Sequence, residues 1–140
     1  MENYNKAIMD YLSTYPDIKT FPFFNFSTES IGNTSIATNY GATWVKRYQR
    51  NHGVKAYDFA IIYMGKQDSG TSDINANEMF NAEKFMLWIE EQNKNKNFPV
   101  FDGAKVLSIE NLQNQPNFAG VSEAGNVAKY MMQIRVLYYV

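Results

Sequence analysis

The segment VAKYMMQIRVLYY at residues 127–139 changes face with every residue. Tyr130, Met132, Ile134, Val136 and Tyr138 fall on one side, and Lys129, Met131, Gln133 and Arg135 on the other. A period of two belongs to an extended strand, because successive side chains of a pleated backbone point to opposite faces. The apolar row needs a core against it and the mixed row needs water or another protein. That is the pattern of an antiparallel sheet with one covered face.

A second long stretch, from Trp44 to Met64, is interrupted by NHG at 51–53, where Asn and Gly supply the backbone freedom of a turn. It reads as a hairpin. In the second arm Tyr57, Phe59, Ile61 and Tyr63 oppose Ala56, Asp58, Ala60, Ile62 and Met64, so both faces are largely apolar. Such a strand lies inside a sheet, covered on both sides or with its second face against another subunit. Shorter extended pieces are expected at FPFFNF (21–26), whose proline suits an edge, at TSIATNY (34–40), and at AKVLSIENL (104–112).

Helical spacing occurs twice. Tyr4, Ile8, Tyr11, Leu12 and Tyr15 recur on one stripe until Pro16 stops the pattern, which predicts a first helix over roughly 3–15. A longer helix is predicted from Asn75, with Asn75 and Glu78 in capping positions, to Gln92. Met79, Ala82, Phe85, Met86 and Ile89 form its stripe, and Trp88 widens it. EEQNKNKN then ends the helix in solvated residues, and Phe98, Pro99 and Phe101 are expected to cover the sheet edge. The polar stretches 65–73 and 113–126 read as long loops. The sum is one domain over 1–140 of the α+β class: a mainly antiparallel sheet packed by an N-terminal helix and one longer central helix.

Apolar residues at 45% suffice for a core, and 19% charged residues are too few for a disordered polyelectrolyte. A net charge of −1 argues against a general binder of nucleic acid or anionic membrane. There is no cysteine, hence no disulfide, thiolate metal site or cysteine nucleophile. The start MENYNKAIMDYL has no basic and apolar leader, and no apolar run is long enough to span a bilayer, so neither export nor membrane insertion is expected.

Catalytic patterns are weak throughout. His52 is the only histidine and sits in a turn. GKQDSG lacks the spacing and hydroxyl of a phosphate loop, and Asp68 with Asp73 lacks the spacing of a calcium loop. Glu90 and Glu91 are adjacent on a helix and diverge, while Ser27, Ser30 and Ser35 lack a nucleophile elbow. The segment WVKRYQR (44–50) mixes Trp44, Lys46, Arg47, Tyr48 and Arg50 and fits a strand with one basic face, or a contact with an anionic partner. No catalytic, cofactor-binding or metal-ligating residue is expected, and the chain does not read as an enzyme.

Four stretches carry a resemblance: YLSTYP (11–16), WVKRYQRNHGVKAYDFAIIY (44–63), FMLWIEEQNKNKNFPVFDG (85–103) and AKYMMQIRVLYY (128–139). In order and phrasing the chain resembles the tail terminator, or tail completion, proteins of siphophages and prophages, often called minor capsid proteins. The segment 21–41 matches loosely, and SGTSD in the loop 65–73 departs from the family pattern. The resemblance implies a tail-terminator-like α+β subunit of the virion tail or neck, assembled in the bacterial host cytoplasm. Such a subunit closes into a six-membered ring on the tail tube, stops tube polymerisation and offers the surface for head–tail joining. The implied partners are further copies of itself, the tail tube protein and a head-neck connector protein. No small-molecule substrate, cofactor or membrane is implied, and nucleic acid enters only as cargo passing through the ring. Alternatives are another neck component, such as a head-completion or stopper protein, a small hydrolase around His52, or a nucleic-acid-binding module.

A ring requires two different complementary surfaces on each subunit. The expected subunit interface is Lys129, Met131, Gln133 and Arg135 together with the strand face near Arg47, with Arg135→Glu weakening assembly while the monomer stays folded. The expected contacts to tube or connector are Lys66, Gln67 and Asp68 in the first long loop and Asn114, Asn117 and Phe118 in the second.

Overall fold

The computed structural model describes residues 3–17, 23–24, 34–38, 44–66, 74–121 and 126–140. Its elements, in chain order, are α1 (Tyr4–Leu12), β1 (Phe23–Phe24), β2 (Thr34–Thr38), β3 (Trp44–Arg47), a short 3₁₀ turn (Gln49–Asn51), β4 (Gly53–Lys66), α2 (Ile74–Lys94), β5 (Lys105–Asn111), β6 (Asn117–Val121) and β7 (Val127–Tyr139). The fold is α+β with a mainly antiparallel sheet, as the alternation and helical stripes require.

Two long strands form the spine. β4 and β7 run antiparallel from Val54 opposite Tyr139 to Lys66 opposite Val127. Each carries two short strands end to end along its outer border: β2 and β3 on β4, β5 and β6 on β7. β1 adds to β2 as the parallel exception. The register puts Phe59 beside Ile134 and Ile61 beside Met132, so the two apolar rows read from the sequence share one face.

That face holds the core. Ile8, Leu12, Ile36, Phe59, Ile61, Ile89, Ile109, Met132, Ile134 and Val136 are all essentially inaccessible and pack as one cluster between sheet and helices. α1 is short because Pro16 and the turn at Ser13–Thr14 end it, and Asn3 caps its start by accepting from the Lys6 amide. Phe101 enters the core rather than merely covering an edge: it stacks on Tyr4 at 4.3 Å and meets Tyr138 edge-on at 5.3 Å. Offset and edge-on aromatic pairs of this kind add to simple burial.

Three expectations need correction. α2 begins at Ile74, which places Asn75 inside the helix, and the Glu78 carboxylate accepts from the Tyr63 hydroxyl at 2.6 Å. The stretch 113–126 is not wholly loop, because β6 lies within it and pairs with the start of β7. Its sequence NFAGV hides the strand: a register shift between Phe118 and Gly120 breaks the alternation that would mark it. The polar run after Ile89 does more than meet water, since Asn93 Oδ1 accepts from the Ile109 amide and so secures the border of β5.

Candidate interaction surfaces

Neither described helix packs on the second face of the sheet. Its middle is a bidentate ion pair: Arg135 Nε donates to Asp58 Oδ1 at 2.8 Å and Nη2 to Oδ2 at 3.0 Å. The two residues are direct register partners, so opposite charges meet across β4 and β7. The hydrogen bonds to Asp58, aided by the charges of Asp58 and Glu110, raise the Arg135 pKa against a smaller opposing effect of burial. Toward one end of this face Ser35, Met64 and Val127 are buried outside the main core, and in the middle buried Ala60 pairs with exposed Gln133. At the other end Tyr139 is exposed.

The expected interface residues separate into two places. Lys129, Met131, Gln133 and Arg135 share the second face, as their alternation on β7 requires. Arg47 does not join them. It pairs with Gly53, whose register parity is that of Tyr57 and Phe59, and its guanidinium lies 5.3 Å from the Trp44 ring. Because Arg135 is the counter-ion of Asp58, whose side chain is 7% exposed, Arg135→Glu would set two carboxylates together. It is not the clean interface probe that the sequence suggested.

Lys66 is the exposed last residue of β4, opposite Val127, and Val121 at the end of β6 is opposite Ala128. The anchors of both predicted contact loops therefore lie at one end of the spine. Gln67 and Asp68 fall outside the described residues. Asn114 lies in a bend fixed by Gln113, which donates to the Met131 carbonyl at 2.9 Å and accepts from the Gln133 amide at 3.2 Å. Asn117 and Phe118 belong to β6, with Phe118 half-exposed and edge-on to Tyr130 at 6.0 Å.

The opposite end of the spine carries the β3–β4 hairpin. Gly53 and Val140 exchange two backbone hydrogen bonds, which tie the hairpin to the end of β7. A side chain at position 53 would meet the Lys46 carbonyl oxygen at 2.2 Å, so only glycine lets β3 come this close. Arg50 takes a left-handed conformation, φ 61°, to close the turn. Lys55 Nζ lies 4.5 Å from the Trp44 ring centroid, on a second cation–π contact. The hairpin was legible from NHG, but its docking against Val140 was not.

The His52 Nδ1 lies 3.2 Å from the Val140 carbonyl oxygen, and the ring stacks beside Tyr139. Among the described residues no group of three or more His, Asp or Glu side chains could hold a metal ion. A cavity of about 500 Å³ lies between α2 and the sheet, with Ile61, Phe85 and Met132 in its floor and Asp17, Asn81 and Lys84 at its rim. Burial pushes the Tyr63 phenol beside it upward in pKa, reinforced by the bond to Glu78. No helix among the described residues is long and apolar enough to cross a membrane.

The sequence matches no protein-family model, and a search of curated proteins gave no significant match.

Proposed function

We propose that the chain is a structural virion subunit that caps a phage tail tube as a six-membered ring, ending tube polymerisation and presenting the surface for head–tail joining. The reading starts from the resemblance in the four quoted stretches. The structural observation that supports it best is the division of one rigid sheet into unlike ends. Lys66, β6 and the start of β7 lie at one end, and the β3–β4 hairpin lies at the other. A heterologous ring uses such asymmetry, with one region facing the tube or connector and others facing neighbouring copies. The partly uncovered second face, with exposed Gln133 and Tyr139, offers further area for a partner.

Light scattering of the purified protein over a concentration series, alone and with tail tubes, tests the proposal. A six-subunit mass, or monomers that become caps at tube ends and halt elongation, is the expected result. A persistent monomer that ignores tubes would overturn it. A ring that binds the connector but leaves tube growth unchanged would identify another neck component.

A further inference from the structure

Charge is unevenly spread along this chain. Residues 44–57 hold Lys46, Arg47, Arg50 and Lys55, four of the thirteen cations, and none of the fourteen acidic residues. The whole chain is at −1, so everything outside the hairpin is clearly acidic. Lys46, Arg47 and Arg50 are exposed, and beside them Val45 and Tyr48 are 46% and 54% exposed. The hairpin thus presents both charge and apolar area on a backbone anchored by Gly53 and Val140.

The complementary surface lies at the far margin of the sheet. An open groove of about 450 Å³ runs between the C-terminal half of α2 and the end of β5, with Glu90, Ile109, Glu110 and Leu112 in its walls. Leu112 in this wall is 41% exposed. Asn111 also lines the groove: its Nδ2 donates to the Met86 carbonyl, while its buried Oδ1 has no donor. Carboxylates beside an exposed leucine suit a basic segment with apolar neighbours.

β3 borders β4 and β5 borders β7, so hairpin and groove occupy opposite margins of one sheet. A hairpin anchored at Gly53 and Val140 does not fold back across the spine into its own groove. The contact must join different molecules head to tail, the type of contact that closes into a ring or runs on as a filament. We propose that the β3–β4 hairpin of one copy docks in the α2–β5 groove of a second copy of this chain, setting Lys46, Arg47 and Arg50 against Glu90 and Glu110. The inference rests on the ring reading for the existence of a contact between copies, and adds which surfaces meet. A nucleic-acid partner suits the hairpin less well, because the acidic remainder of the chain repels phosphate.

Two variants decide the matter, Lys46→Glu with Arg50→Glu on the hairpin and Glu90→Lys with Glu110→Gln in the groove. Each, checked for an unchanged circular dichroism melt, is examined by light scattering at low and high salt, with tail tubes added where wild type needs them to assemble. Each variant alone should associate about tenfold more weakly than wild type, with most of the difference screened by salt. An equimolar mixture should regain association, because the reversed charges on the hairpin of one fit the altered groove of the other, and its own unaltered acidic groove receives the unaltered basic hairpin. Variants that associate like wild type, or folded variants that mixing fails to rescue, overturn the contact and leave the ring reading standing. Wild type that never associates, with or without tubes, overturns both. Loss of binding to a DNA duplex with self-association intact would assign the hairpin to nucleic acid and also overturn the inference.

Discussion

Asp58 and Arg135 show how far a single residue's role depends on its neighbour in space. The alternation of β7 placed Arg135 on the mixed face, and that placement holds. Its partner lies seventy-seven positions away and becomes visible only through the register of β4 on β7. A bidentate bond to a carboxylate that is 7% exposed joins the strands, so truncating either side chain leaves the other charge partly buried and alone. Arg135→Leu should therefore lower the unfolding free energy by about 1.5–3 kcal/mol in urea titrations, the range for hydrogen bonds to charged groups. Asp58→Leu combined with Arg135→Leu should cost clearly less than the two single changes added together. Strict additivity would mean that the pair does not couple the two strands.

At the scale of elements, the turn that closes α2 contains a left-handed residue that is not glycine. Lys96 has φ 56°, and the Asn97 amide donates back to the Gln92 carbonyl at 2.9 Å, closing the last turn. A side chain in this conformation costs about 1 kcal/mol that glycine escapes. Lys96→Gly should accordingly raise stability by about 1 kcal/mol and move the thermal midpoint up by a few degrees. A midpoint that stays or falls would show that the Lys96 side chain contributes something the backbone argument omits. The same region marks the limit of sequence reading. The stripe Ala82, Phe85, Met86 and Ile89 predicted the buried face of α2 correctly, because burial follows helical period. EEQNKNKN could only be read as solvated, since the bond from the Ile109 amide to Asn93 depends on where β5 lies in space. β6 was missed for a related reason, a bulge that removes the alternation. The candidate surfaces divide the same way: the residues sharing the β7 face were legible, whereas the separation of Arg47 from them and the groove beside Glu110 required the register.

Across the whole molecule the aromatic residues make the fold's response to alkali predictable. Burial is the first cause raising the pKa of Tyr11, Tyr15, Tyr57, Tyr63, Tyr130 and Tyr138, with Tyr57 pushed up to about 12. Tyr63 is held further by its bond to Glu78, and Tyr11 donates to the Asn97 carbonyl at 2.8 Å, joining α1 to the segment after α2. A phenol with a raised folded-state pKa stays neutral in the native protein while the unfolded chain releases its proton near the ordinary value of 10.0. The unfolded state then binds fewer protons, so these groups give their full stabilisation below that pH and lose it progressively above. Because six such groups on α1, β4, β7 and the turn after α1 act in the same direction, the loss should be cooperative. Urea midpoints should fall steeply between about pH 10 and 12, and tyrosinate absorbance from the buried rings should rise together with the loss of circular dichroism. Tyr63→Phe, which removes one of these phenols, should make the fall shallower. Midpoints that stay level through this window, with tyrosinate forming in a folded protein, would mean that the aromatic face is open to water and that the packing described between the helices and the sheet is wrong.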